Sequence, residues 1–204
     1  MKKIIIALVS MLVMVPVVLE AQNSSKEVLK QAKKTEKMFK KEGWKIFGST
    51  STLRDALVKH YEKMNKIGDG ASEQSGTATV SDPKHKNLLV QAAETNAYAS
   101  YAGKCREVVG QVVNEMELTT VEKDNFLATY KSTIQAKIKG ELDKSFVIIR
   151  EVSKDQIDAQ VFFVVDDAAA ERARLRALRV ASEGMKITED MREKLDMAAK
   201  QRIQ

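Results

Sequence analysis

The sequence predicts an α+β fold in which a small, mainly antiparallel sheet packs against one long helix, with additional N- and C-terminal helices. Three observations carry this reading. "VSDPKHKNLLVQAAETNAYASYAGKCREVVGQVVNEMELT", Val80 to Thr119, keeps a helical spacing of small and apolar residues throughout. "SFVIIREV" and "QVFFVVD", separated by the polar "SKDQIDA", have the pattern of an antiparallel hairpin. In the second run Val161, Phe163 and Val165 alternate with Phe162 and Val164, so both faces of that strand need cover. The long helix is expected on one face, and other helices or a partner chain on the other.

The chain opens with "MKKIIIALVSMLVMVPVVLEAQ", two lysines ahead of an apolar run from Ile4 to Leu19 and then small Ala21 before Gln22. That order predicts a signal peptide over residues 1–21, cut between Ala21 and Gln22. The run is 16 residues, short of the roughly 20 that a spanning helix needs, and Pro16 interrupts it, so no transmembrane anchor is expected after processing. No cysteine follows the apolar core, so no lipid anchor is expected either.

Ser24 or Ser25 can cap a helix running to about Lys41, with Val28, Ala32, Thr35 and Phe39 on one stripe. Lys26, Lys30, Lys33, Lys34, Lys37, Lys40 and Lys41 crowd its other faces. They read as a solvated surface, with contact to an anionic membrane surface as the alternative. "GWKIFGS" follows as a short extended segment offering Trp44, Ile46 and Phe47 for burial. Thr52 and Asp55 then have capping-box spacing at the start of a helix that puts Leu53, Leu57, His60, Met64 and Ile67 on one face. "GDGASEQSG" reads as a loop and "TATV", Thr77 to Val80, as a strand. Asp82 and Pro83 are the predicted cap and first position of the long helix.

In that helix Leu88, Ala92, Thr95, Ala99, Ala102, Val109, Val113 and Met116 follow spacings of three and four, apart from a gap at Arg106 where Cys105 turns inward. Alanines in the first half would bring the axis close to a sheet, and larger residues in the second would fill a wider gap. Thr119 and Glu122 form another capping box, opening a helix with Leu127, Tyr130, Ile134 and Ile138 inward and a stop at Gly140. After the hairpin, Asp167 is the expected cap of a helix from about Ala168 to Glu183, and a last helix starts near Thr188. The first of these carries Arg172, Arg174, Arg176 and Arg179, read as a solvated, salt-bridged face. Contact of Arg172, Arg176 and Arg179 with an acidic partner is the alternative. Residues 22–75 are expected as an N-terminal helical region, 76–167 as the α+β core and 168–204 as C-terminal helices, together one compact unit.

Composition narrows the function. The net charge is +6, and loss of Lys2, Lys3 and Glu20 with the leader lowers it to +5. Export and the lack of aromatic residues interleaved with the basic ones argue against nucleic acid. An envelope protein or an anionic envelope surface is the expected partner; the sequence leaves the oligomeric state open. Cys105 is the one cysteine, so no internal disulfide can form, and its place on a buried stripe gives it a packing role. His60 and His85 lie on different predicted helices, poor material for a histidine-based triad, and His60 reads as a core or boundary residue. There is no phosphate-binding G-x-x-x-x-G-K loop and no G-x-S-x-G elbow. Asp166 and Asp167 end a strand and cap a helix, with a cation site as the lesser reading. No catalytic residue, cofactor or metal site is assigned, and the protein is read as a non-enzyme.

"SGTATV", the alanine-rich "LLVQAAETNAYASYAGKCREVV", "IKGELDKSFVIIREV" and "DAQVFFVVD", over about Gly76 to Asp167, together resemble the Lpp-twenty family of bacterial envelope lipoproteins. The N-terminal domain of a flagellar outer-ring protein has a similar layout. "EGWKIFGSTSTLRDALVKHYEKM" resembles a recurrent opening of uncharacterised exported proteins of Bacteroidales-type bacteria. The resemblance implies a compact α+β envelope or assembly component and brings no catalytic residues. The resulting expectation is a non-catalytic exported protein, periplasmic or outer-membrane-associated, acting by contact. A binding module for a small amphiphile around Phe146, Phe162 and Phe163 is the alternative, and an envelope hydrolase built from converging acidic or histidine side chains is a third class.

Overall fold

The structure, a computed structural model, describes residues 25–81 and 83–203. The expected signal cleavage at Ala21 and Gln22 and the cap at Asp82 lie outside the described residues. Helix α1 covers residues 25–41 and a two-residue strand β1, Lys45–Ile46, follows. Helix α2, Leu53–Ile67, starts on the expected capping box of Thr52 and Asp55. Strand β2, Ala71–Val80, is longer than "TATV" alone, because Ala71 to Gly76 pairs with a neighbouring strand instead of looping. A one-turn 3₁₀ segment, Pro83–His85, leads into α3, Lys86–Glu115, and α4, Thr120–Lys137, opens on the Thr119 and Glu122 capping box. The hairpin strands are β3, Leu142–Ser153, and β4, Gln156–Asp166. Two helices close the chain, α5, Asp167–Ala181, and α6, Glu189–Lys200.

The fold is α+β. Four strands form one antiparallel sheet in the order β1-β3-β4-β2. Strand β4 is central, which accounts for its two apolar faces. Phe162 joins Phe146, Ile148 and Trp44 beneath α1 and α2. Val161, Phe163 and Val165 join the larger core built with α3, α4, α5 and α6. Both sides are therefore covered by helices of the same chain.

The close approach of a small-residue helix to the sheet is present, but on a different stripe. Leu89, Ala93, Ala97, Tyr101, Cys105, Val109 and Val113 are buried, whereas Leu88, Ala92 and Thr95 are exposed and Ala99 is half-buried. A spacing of four residues advances about 40° per step around a helix of 3.6 residues per turn, so the buried line winds. That winding fits two successive neighbours. Around Ala93 and Ala97, α3 lies on β2 at Gly76; further on, Gly110 faces Leu127 of α4. A straight stripe matches the second half only.

Candidate functional site

His60 is the buried titratable residue with the most specific surroundings. The capping box fixes the start of α2, and helical spacing then turns Leu53, Ala56, Leu57 and His60 toward the sheet. His60 is fully buried, with the Phe146 ring edge-on at 5.5 Å and Tyr61 at 5.3 Å. Both ring nitrogens have partners: Nδ1 lies 3.0 Å from Ser145 Oγ and Nε2 lies 2.8 Å from Glu73 Oε2. A carboxylate can only accept, so Nε2 carries the hydrogen and donates to Glu73. With Nε2 so engaged, Nδ1 is the ring nitrogen that can accept the Ser145 hydroxyl hydrogen. That is the proton arrangement of a serine, base and orienting carboxylate, with the two ring nitrogens exchanged relative to the familiar triad.

The sheet brings these groups together. Glu73 on β2 stands opposite Val164 of β4, while Gln74 and Gly76, on the other face of the strand, meet α3. In β3, Lys144 stands opposite Phe163 and Phe146 opposite Phe162, which leaves Ser145 as the extra residue of a β-bulge. A bulge re-aims a side chain. Here Ser145 and Phe146 both reach His60. Strand β1 covers the edge of β3 only as far as the hydrogen bond from Phe47 N–H to the Val147 carbonyl. Beyond it opens a cleft of about 400 Å³ with Ser145 in its wall, together with Phe47, Gly48, Lys59, Val90 and Lys144. His60 is thus a hydrogen-bonded core residue, as its place on an apolar stripe predicts, and the fold sets a serine and a carboxylate beside it.

A second polar centre is structural. Arg174, expected on a solvated face, is fully buried on the side of α5 formed by Ala170, Ala173, Ala177 and Ala181. Its Nε donates to the Ala199 carbonyl at 2.7 Å, and Nη1 reaches Tyr101 Oη at 2.7 Å and Asp167 Oδ1 at 2.9 Å. Asp166, not Asp167, caps α5 by accepting from Ala168 N–H. Burial works against the guanidinium charge, but Tyr101 and Asp167 more than offset it and hold the Arg174 pKa above its ordinary value. Burial also pushes the Tyr101 and Tyr130 hydroxyls up and the Cys105 thiol up to about 12, so Cys105 stays protonated and unreactive at neutral pH. This centre ties α5 to α3 and α6.

The remaining sequence-predicted positions are spread over the surface and core. Arg172, Arg176 and Arg179 are exposed on α5; Arg172 pairs with Glu141 at 3.8 Å. Arg179 joins Arg192 and Lys200 in the wall of a cleft of about 380 Å³ between α5 and α6. All seven lysines of α1 are exposed, and among the described residues only Lys40 is paired, with Glu36 at 2.8 Å. Phe146 and Phe162 stack at 4.5 Å under α2, whereas Phe163 packs against Tyr98 on the opposite face, so the three do not line one pocket. Among the described residues no group of three or more His, Cys, Asp or Glu side chains is placed to hold a metal ion, and no helix is long and apolar enough to cross a membrane.

No protein-family model matches the chain, and no curated protein matches it in sequence. Among solved structures it is similar to a hypothetical protein from Francisella tularensis, at 16% identity over 75% of this chain and a TM-score of 0.26. The chain spans 57% of that protein's length.

Proposed function

We propose that the chain is an exported cell-envelope protein that works by surface contact, with α1 lying against an anionic envelope surface. The observation that carries this reading is the lysine row of α1. Six exposed ammonium groups on one short helix have no carboxylate partner among the described residues. Unpaired lysines of this density gain about 1 kcal/mol each near a negatively charged leaflet. The export-type leader and the envelope-protein resemblance of residues 76–167 support the same setting. The cationic cleft of Arg179, Arg192 and Lys200 favours an acidic protein partner as a second reading.

Flotation with vesicles tests the proposal. The protein should rise with vesicles containing phosphatidylglycerol but not with pure phosphatidylcholine, and binding should weaken as salt screens the charges. Replacing Lys30, Lys34 and Lys37 with glutamine should abolish most of the anionic preference. Equal behaviour on both vesicle types would refute the membrane contact, and crosslinking to an acidic protein through Arg179 would select the second reading.

A further inference from the structure

We propose that Ser145, His60 and Glu73 form a hydrolytic site for short-chain acyl esters. This goes beyond the contact reading and does not depend on it. Ser145 is the nucleophile: it sits on a bulge at the uncovered edge of β3, and it alone of the three lines the 400 Å³ cleft. His60 is the base, held dry under α2 with Nδ1 at 3.0 Å from the hydroxyl. Glu73 is a positioning residue; its 2.8 Å bond to Nε2 fixes the tautomer and stabilises the ring when it becomes positive.

The chemistry balances with water as the co-reactant. Ser145 Oγ forms a bond to the ester carbonyl carbon while its proton passes to His60 Nδ1. Collapse of the tetrahedral species breaks the bond to the alkoxy oxygen, which takes the proton from His60 and leaves as the alcohol. Water then attacks the acyl-serine and gives one proton to Nδ1. Collapse breaks the acyl–Oγ bond, Oγ recovers the proton, and the carboxylic acid departs.

The cleft indicates the substrate class. Phe47, Phe146, Val147 and Val90 supply apolar wall, enough for a short acyl chain at this volume. Lys59 adds positive charge on the same cleft, which suits the oxyanion that develops on the carbonyl, while Lys144 beside it is paired with Glu94 at 3.0 Å.

Two probes test the site in the full chain: turnover of 4-nitrophenyl butyrate, and labelling by a fluorophosphonate, whose phosphorus bonds to an activated serine as fluoride leaves. The expected result is hydrolysis above the buffer rate and a label mapping to Ser145. Ser145→Ala should lower kcat/KM by about 100-fold or more in a variant that is still folded under the assay conditions. Glu73→Gln should reduce kcat with little change in KM, a split that a merely structural role would not give. Hydrolysis equal in wild type and Ser145→Ala, no turnover at all, or a label on another residue would overturn the proposal. Vesicle binding is read separately, so failure of one proposal leaves the other standing.

Discussion

Gly76 lies on β2 beneath the turns of α3 that carry Ala93 and Ala97. A methyl group at this glycine would overlap the Ala93 carbonyl oxygen and the Ala97 amide nitrogen and would fall 2.8 Å from Ala97 Cα. These are backbone atoms inside a helix, so they cannot rotate away as a side chain would. Gly76→Ala should therefore cost about 3 kcal/mol, the upper end of ordinary overpacking penalties. Chemical denaturation measures it; an unchanged midpoint would mean that α3 does not rest on this strand. The same contact explains the alanines of α3, since a larger residue at 93 or 97 would hold the helix away from the sheet. Sequence periodicity identified the need for small residues but assigned it to Ala92 and Ala99, because a stripe was assumed to stay on one side of a helix that changes neighbours along its length. Arg174 was misread for a related reason. An arginine among other arginines suggests solvent, yet the spacing of Ala170, Ala173, Ala177 and Ala181 marks a buried face that passes beside it.

At the scale of elements, the helix starts were the most legible features because their signals are local. Thr119 N–H and hydroxyl both donate to Glu122 Oε2, at 2.8 and 2.7 Å, while Thr119 Oγ accepts from Glu122 N–H at 3.3 Å. The hydroxyl and amide of Thr119 hold the Glu122 carboxyl below its ordinary pKa, and those of Thr52 do the same for Asp55 at the start of α2. A depressed carboxylate contributes stability above its unfolded pKa and loses it as pH falls through the folded value. Thr119→Ala should cost about 1 kcal/mol at neutral pH. That cost should shrink in acid below the ordinary carboxylate range, where Glu122 is protonated and its charge-assisted bonds are gone. Urea unfolding of both proteins at the two pH values is the measurement, and a pH-independent difference would assign the cap no ionic component. The Ser145, His60 and Glu73 group shows the opposite limit of legibility. Ser145 and His60 are separated by 85 positions, and their contact depends on a bulge that shifts the β3–β4 register by one residue. The tetrapeptide around Ser145 contains no glycine or proline to announce such a bulge.

For the whole molecule, the two sides of the sheet differ in size. The core under α3 to α6 gathers buried residues from four helices and two strands, whereas the α1–α2 side depends on a smaller cluster around Ala32, Trp44, Leu57, Phe146, Ile148 and Phe162. Helices α1 and α2 are joined to each other by Glu36 with Arg54 at 2.7 Å and by Thr35 with Tyr61 at 2.9 Å. Their links to the sheet include the His60 pair and the ion pair of Lys63 with Asp143. Cooperative units of a fold open in order of the apolar contact they give up. Helices α1 and α2 should therefore open together, as one layer, at lower free energy than α3 and β4. Hydrogen exchange at low urea would show this as a shared, lower protection for amides of α1 and α2, with β4 and the middle of α3 exchanging only on global unfolding. Equal opening free energies in both layers would mean that the sheet couples them fully. Under the expected order, opening would also separate His60 from Ser145 while the main core remains folded, so any turnover at Ser145 would fall with urea before the global transition.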